Sequence, residues 1–245
     1  IWQVTHTATT VAVKQPDVAM RLVLAKLDFL LAEAKGKPEP PPFPVNGTEV
    51  DKASWYFKHR PSREFHHLLD ATEWYDLPSL AEAAPSAFLR YLWRWYVAVF
   101  SEILACSESC GDKHIYHGQY VLELELTLSE DRSSSPEKPV MSALQIAVEE
   151  LAEKTPDEFS SWADENSNLE MLAVQQLIAR GYEIAADQSA SRALEWILLD
   201  QRRFQLGTPY GHRDTTIDLV RASAPHWSKE EIDRFEKAVL SYRPP

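Results

Sequence analysis

Apolar residues in this chain recur at the spacing of an α-helix far more often than they alternate. Residues 16–35 carry Val18, Leu22, Val23, Leu27, Leu30 and Leu31, which the periodicity assigns to one buried stripe. Pro16 stands at the first helical position, Asp17 near the positive end, and Gly36 just past the last turn. Residues 62–75 repeat the pattern with Phe65, Leu68, Leu69 and Trp74, and residues 77–84 with Leu77, Leu80, Ala81 and Ala84. Residues 85–105 are apolar around most of the circumference, from Phe88, Leu92, Trp93, Trp95 and Tyr96 to Val99, Phe100 and Ile103, which predicts a helix buried between neighbours. Further helices are expected at 139–154, 156–164, 167–180 (ended by Gly181), 188–199, 213–224 and 228–242. The last opens on Ser228 with Glu231 three residues on, a capping box.

Two stretches do not fit this pattern. Residues 1–14 alternate loosely, with many Thr and Val, and read as a strand or an extended arm. In residues 119–128, Leu122, Leu124, Leu126 and Leu128 alternate with Glu123 and Glu125. The alternation suggests a strand, but Leu and Glu are helix formers, and helix is the favoured reading; a minor strand pair with residues 9–13 is the alternative. Residues 37–47 hold Pro38, Pro40, Pro41, Pro42 and Pro44, a stiff connector or a docking segment for an SH3-like partner. Residues 129–138 read as a solvated loop.

Prolines punctuate the helices. Pro16, Pro85, Pro156 and Pro225 each open an apparent helix, where the missing N–H has no intrahelical acceptor to lose. The nearly equal spacing of the last three suggests a repeated hairpin. The expected fold is all-α: antiparallel helix hairpins stacked as an irregular, HEAT-like α-solenoid. The expected organisation is an N-terminal arm, helix and Pro-rich linker over residues 1–47, followed by a helical-repeat domain over 48–245.

Composition narrows the function. Only 7 of 245 residues are glycine, too few for the tight turns and phosphate loops of sheet-rich and nucleotide-binding folds. A net charge of −12 disfavours DNA, RNA and anionic membrane surfaces, so nucleic acid is an unlikely partner. No run of 18 apolar residues exists to span a membrane. The sequence begins at Ile1 without a visible signal peptide and reads as a piece excised from a longer protein. Two cysteines make no disulfide framework and fit a reducing cytoplasm.

Candidate chemistry is sparse. Cys106, Cys110, His114 and His117 are suitable ligand types for tetrahedral zinc, at a spacing unlike a standard finger or ribbon; the competing reading is a helix end followed by a polar loop. His66 and His67 beside Glu64 and Asp70 lie on a helix, where adjacent residues point about 100° apart and chelate poorly. Nucleophile-elbow, phosphate-loop, dinucleotide and kinase motifs are missing. Glu149-Glu150 and Glu230-Glu231 read as solvated outer faces. Arg202 and Arg203 follow Asp200 near a helix C-terminus, where they offset the dipole or, in the other reading, bind an anion. Trp74, Trp93, Trp95, Trp162, Trp196 and Trp227 fall on helical stripes and read as core, whereas Trp2 and Trp55 are candidates for a partner surface.

Three segments carry a resemblance. The run from Leu77 through Pro85 to Leu89 resembles helix pairs in large bacterial proteins that join an N-terminal effector to a NACHT or STAND-type NTPase. Ala193 to Gly207 and Ala224 to Tyr242 are similar to features of the C-terminal helical arrays of those proteins. The resemblance implies anti-phage defence, with the array sensing a ligand and the nucleotide chemistry lying elsewhere in the longer protein. The resulting expectation is a non-catalytic, cytoplasmic scaffold or sensor region that binds protein partners and needs no cofactor. The alternatives are a metal-dependent all-α enzyme using zinc and a regulatory domain that binds a small molecule.

Overall fold

Among the described residues the long helical stripes of the sequence lie in helices, and there is no strand. The computed structural model describes residues 2–37, 41–42, 44–59, 63–70, 76–109, 120, 139–207 and 214–243. The chain forms two compact units: Ile1–His114 with Ser134–Ala143, and Ile115–Ser133 with Leu144–Pro245.

The first unit holds α1 (Trp2–Ala12), α2 (Pro16–Lys35), α3 (Glu49–His59), α4 (Arg63–Asp70), α5 (Leu77–Ala83) and α6 (Pro85–Ser109). α6 is its centre. Phe88, Leu92, Tyr96, Val99, Phe100 and Ile103 are buried, and the helix packs against α2, α4 and α5. Tyr96 lies between Trp93 and Phe100, with ring centroids 5.4 and 6.3 Å away.

The expected arm over residues 1–14 is mostly the helix α1. Its Thr and Val content favours strand, but Thr5, Ala8 and Ala12 recur at helical spacing and are buried, so α1 lies against α2 and α5. Thr9 and Thr10 donate their hydroxyls back to the carbonyls of Thr5 and His6, at 3.0 and 3.1 Å, which gives each hydroxyl an acceptor within the helix. With residues 9–12 helical, they are no strand partner for 119–128, a segment that except for Tyr120 lies outside the described residues. α3 is a helix the periodicity did not announce. Its start is Thr48, whose backbone N–H and hydroxyl donate to Asp51 Oδ2 at 2.9 and 2.7 Å while the Asp51 N–H donates to Thr48 Oγ1 at 3.2 Å.

α2 departs from its predicted single stripe. Ala19, Met20, Val23, Leu27 and Leu31 are buried, whereas Val18 and Leu22 face away from them into solvent. At 100° per residue, Val18 and Val23 lie about 140° apart. Val18 therefore cannot share the buried face that holds Val23.

α7 (Pro139–Lys154) begins in the first unit and continues into the second. The second unit also holds α8 (Pro156–Asn166), α9 (Leu172–Ile184), α10 (Ala186–Leu199), a 3-10 turn at Gln201–Gln205, α11 (Asp214–Ser223), a second 3-10 turn at Ala224–His226, and α12 (Lys229–Ser241). Pro16, Pro85 and Pro156 open helices as expected, but Pro225 sits in the second 3-10 turn and α12 starts four residues later. There the capping box is complete: Glu231 Oε2 accepts from the Ser228 N–H at 2.8 Å, and Ser228 Oγ accepts from the Glu231 N–H at 3.3 Å.

α9 is the centre of this unit and packs against α8, α10 and α11. Residues 172–179 are all buried. Gly181 does not end the helix, which runs on to Ile184. A Cβ at Gly181 would lie 2.1 Å from Phe159 Cε2, so the glycine is there for close approach of α8 to α9. Phe159 continues into an aromatic chain, edge-on to Tyr182 at 5.0 Å, which in turn meets Trp196 at 5.9 Å. Glu149, expected on a solvated face, is instead fully buried. Its Oε1 accepts from Arg180 Nε at 2.8 Å and from Gln145 Nε2 at 3.0 Å.

Gly181→Ala is expected to lower the unfolding free energy by about 1–3 kcal/mol, as overpacking does, read from denaturant melts. Combined with Phe159→Leu, the cost should be less than the sum of the two single changes; simple additivity would contradict the contact.

Candidate functional site

Among the described residues, few of those singled out by their chemistry converge. Cys106 lies partly buried near the end of α6, while Cys110, His114 and His117 lie outside the described residues. No group of three His, Cys, Asp or Glu side chains among the described residues is placed to hold a metal ion. His66 is buried and His67 exposed, so the two imidazoles diverge as the helix geometry requires. Trp2 opens α1, and its side chain lies outside the described set. Trp55 is tucked against the chain, its indole N–H donating to the Pro41 carbonyl at 2.8 Å. It fastens the proline-rich connector to α3 rather than presenting a ring to solvent.

The polar residues that do converge lie in the second unit, around a pocket of about 240 Å³ lined by Ser167, Glu170, Asp200, Arg202 and Arg203. Asp200 caps the first 3-10 turn. Its Oδ1 accepts from Arg202 N at 3.0 Å, and its Oδ2 accepts from the Tyr120 hydroxyl and Arg202 Nη2, each at 2.7 Å. The Arg202 guanidinium also donates to both Glu170 oxygens and lies 4.2 Å over the Tyr120 ring. Arg203 is 3 % exposed and takes neutral acceptors: Gln175 Oε1 at 3.2 Å, the Ser167 carbonyl at 2.6 Å and the Trp196 carbonyl, with its guanidinium 4.4 Å over the Trp196 ring. Gln175 completes the set by donating to the carbonyls of Ser167 and Leu169.

This cluster is a clasp. It ties the 167–170 loop, Tyr120 and the 3-10 turn to α9 and α10, and each charged side chain in it already has partners. Two carboxylates and two guanidiniums also cancel, which leaves no surplus positive charge for the anion suggested by Arg202-Arg203. Burial alone would push Asp200 up, but the hydrogen bonds from Arg202 and the Tyr120 hydroxyl outweigh it and hold the carboxyl at about 2. Burial, then the bond to Asp200, pushes the Tyr120 phenol up, so it remains a neutral donor at neutral pH.

A different kind of feature lies on the outer face of α2. Val18, Leu22, Ala25, Phe29 and Ala32 follow one another at alternating intervals of four and three residues, and all are exposed. Val18 is 44 %, Leu22 42 % and Phe29 59 % exposed. This is the heptad spacing of a helix-packing seam. Arg21 and Asp28 flank it on one side, Lys26 and Glu33 on the other, and the Lys26 ammonium stands 4.8 Å over the Phe29 ring. The roll of α2 is fixed from the opposite direction by its buried face and by ion pairs to α6 at both ends, Asp17–Arg90 at 3.3 Å and Lys35–Glu102 at 2.6 Å.

Comparisons with known proteins found no matching family model, curated protein or solved structure. No helix among the described residues is long and apolar enough to cross a membrane.

Asp200 has a depressed folded-state pKa, so its stabilisation is complete above the ordinary aspartate value of 3.8 and is lost as pH falls toward about 2. Between those limits Asp200→Asn is expected to show a flatter decline in stability than the parent chain, measured by denaturant melts at each pH. Identical slopes would contradict the charge-assisted clasp.

Proposed function

We propose that this chain is a non-catalytic helical module that recognises other proteins, with the outer face of α2 as its recognition face. The heptad-spaced series Val18, Leu22, Ala25, Phe29 carries this reading. Single exposed apolar residues are ordinary, but a straight series along one helix is not. It has the form that a helix-in-groove or helix-on-helix partner covers. Val18, Leu22 and Phe29 keep 44, 42 and 59 % of their surface exposed, so covering them adds roughly half of the about 1.5–3 kcal/mol that full burial of such a side chain is worth.

In keeping with the resemblance of its hairpins to NTPase-linked helical arrays, we take the module to belong to a larger bacterial defence or signalling protein, in which such an array serves as the sensor. An irregular HEAT-like stacking of the hairpins fits that role. The clasp around Asp200 supports it from another direction, because a set of charges already committed to one another builds a rigid scaffold rather than a reactive centre.

The test is affinity capture from lysate of the source cell, with and without phage infection, using the parent chain and a Leu22→Glu, Phe29→Glu variant as baits. Both positions are exposed, so the variant should keep the parent's circular dichroism and melting midpoint. A protein held by the parent and lost by the variant is the expected result. Identical captures by two folded baits would overturn the reading.

A further inference from the structure

We propose that the outer face of α2 is covered by a second copy of this chain, the two α2 helices running antiparallel about a two-fold axis that passes level with the Val23–Leu24 peptide. This rests on the reading of α2 as a recognition face and names its occupant.

Charge and side-chain size along the seam select the partner. With Leu22 and Phe29 as one class of core position and Val18, Ala25 and Ala32 as the other, Arg21, Asp28 and Lys35 flank the seam on one side and Lys26 and Glu33 on the other. In a parallel pair, each residue of the first flank meets one of the second flank five positions on. Arg21 would then face the partner's Lys26, and Asp28 the partner's Glu33. Both contacts set like charges together, so a parallel pair is disfavoured.

An antiparallel pair joins each flank to its own counterpart. In the register centred between Val23 and Leu24, Arg21 faces the partner's Asp28 and Asp28 faces the partner's Arg21. The two-fold symmetry makes both contacts from one complementary pair. Along the seam, Leu22 meets the partner's Ala25 and Val18 meets the partner's Phe29, so a larger residue packs on a smaller one in each layer. A shift of one heptad sets Asp28 on the partner's Asp28, and the opposite shift sets Arg21 on the partner's Arg21. The charges therefore select one register of one orientation.

The flanking residues are available for this role. Arg21 uses its Nε on the Asp17 carbonyl at 3.3 Å, and neither it nor Asp28 has an ion-pair partner among the described residues. Lys35, the next position on that flank, is already held by Glu102. On the other flank Lys26 lies level with the partner's Ala19, which is buried within its own chain, so no like charges meet there.

Sedimentation equilibrium of the 245-residue chain from about 1 to 200 µM tests this, a range covering the micromolar dissociation constants expected of a small interface. The parent chain is expected to be a reversible monomer–dimer system and Leu22→Glu a monomer. Arg21→Asp or Asp28→Arg alone creates two like-charge contacts and should weaken the dimer roughly tenfold. The double swap, Arg21→Asp with Asp28→Arg, should restore it. A parent chain monomeric at every concentration, a dimer indifferent to Leu22→Glu, or a double swap no better than the single reversals would each overturn the proposal. If the parent is monomeric yet captures another protein through Leu22 and Phe29, the second copy is wrong and the recognition face stands.

Discussion

The burial of α6 is the constraint on which the first unit depends. Its large side chains fill the core from Phe88 to Ile103, each worth about 1.5–3 kcal/mol when taken from water. α2 answers with Met20, Val23 and Leu27. A helix of 3.6 residues per turn brings one face to a neighbour at a time. Once that face is taken, Val18, Leu22 and Phe29 are left on the far side. The ion pairs at the two ends of α2 add little energy as surface pairs, but both join it to α6 and so resist its rolling. The outward seam follows from the same packing that builds the core.

The second unit is organised differently. Its central helix α9 buries polar side chains along with apolar ones: Gln175 is satisfied by Ser167, Leu169 and Arg203, and Gln176 donates to the Gly207 carbonyl. Arg203 is a buried guanidinium whose hydrogen-bond acceptors among the described residues are neutral. Three acceptors and the face of Trp196 offset its loss of water. Thr216 fastens the segment after it, donating to the Arg203 carbonyl at 2.6 Å and accepting from the Leu206 N–H at 3.0 Å. Such a network fixes one arrangement of loop, turn and helix, because losing any member strands the others.

The all-α class and the bounds of α2 and α7 were legible because periodicity, proline and caps agreed there. What was not legible has physical causes. α1 was obscured because Thr and Val signal strand locally, while its helical spacing rests on small residues that carry little hydrophobic weight. The Thr48–Asp51 cap was present in the sequence but preceded a weakly apolar helix. Gly181 was read as a stop because its role depends on Phe159, a neighbour 22 positions away in the chain. Glu149 was placed in solvent because its partner, Arg180, is supplied by another helix. The two faces of α2 were readable from angles alone: Val18, Leu22 and Phe29 cluster within about 40° of arc, and treating every apolar residue as core hid them. Of the zinc candidates, the described residues include only Cys106.

Pairing of α2 with itself would bury its second face against a second chain. Its most direct test is the distance between nitroxide labels at Glu33→Cys in a chain whose Cys106 and Cys110 are serine, measured by double electron–electron resonance. The antiparallel register separates the two labelled backbones by about 30 Å, from a rise of about 1.5 Å per residue and helix axes about 8–10 Å apart. A distribution centred near that value is the predicted result. A separation near 10 Å, as in a parallel pair, or the absence of any interchain distance at high concentration, would contradict it.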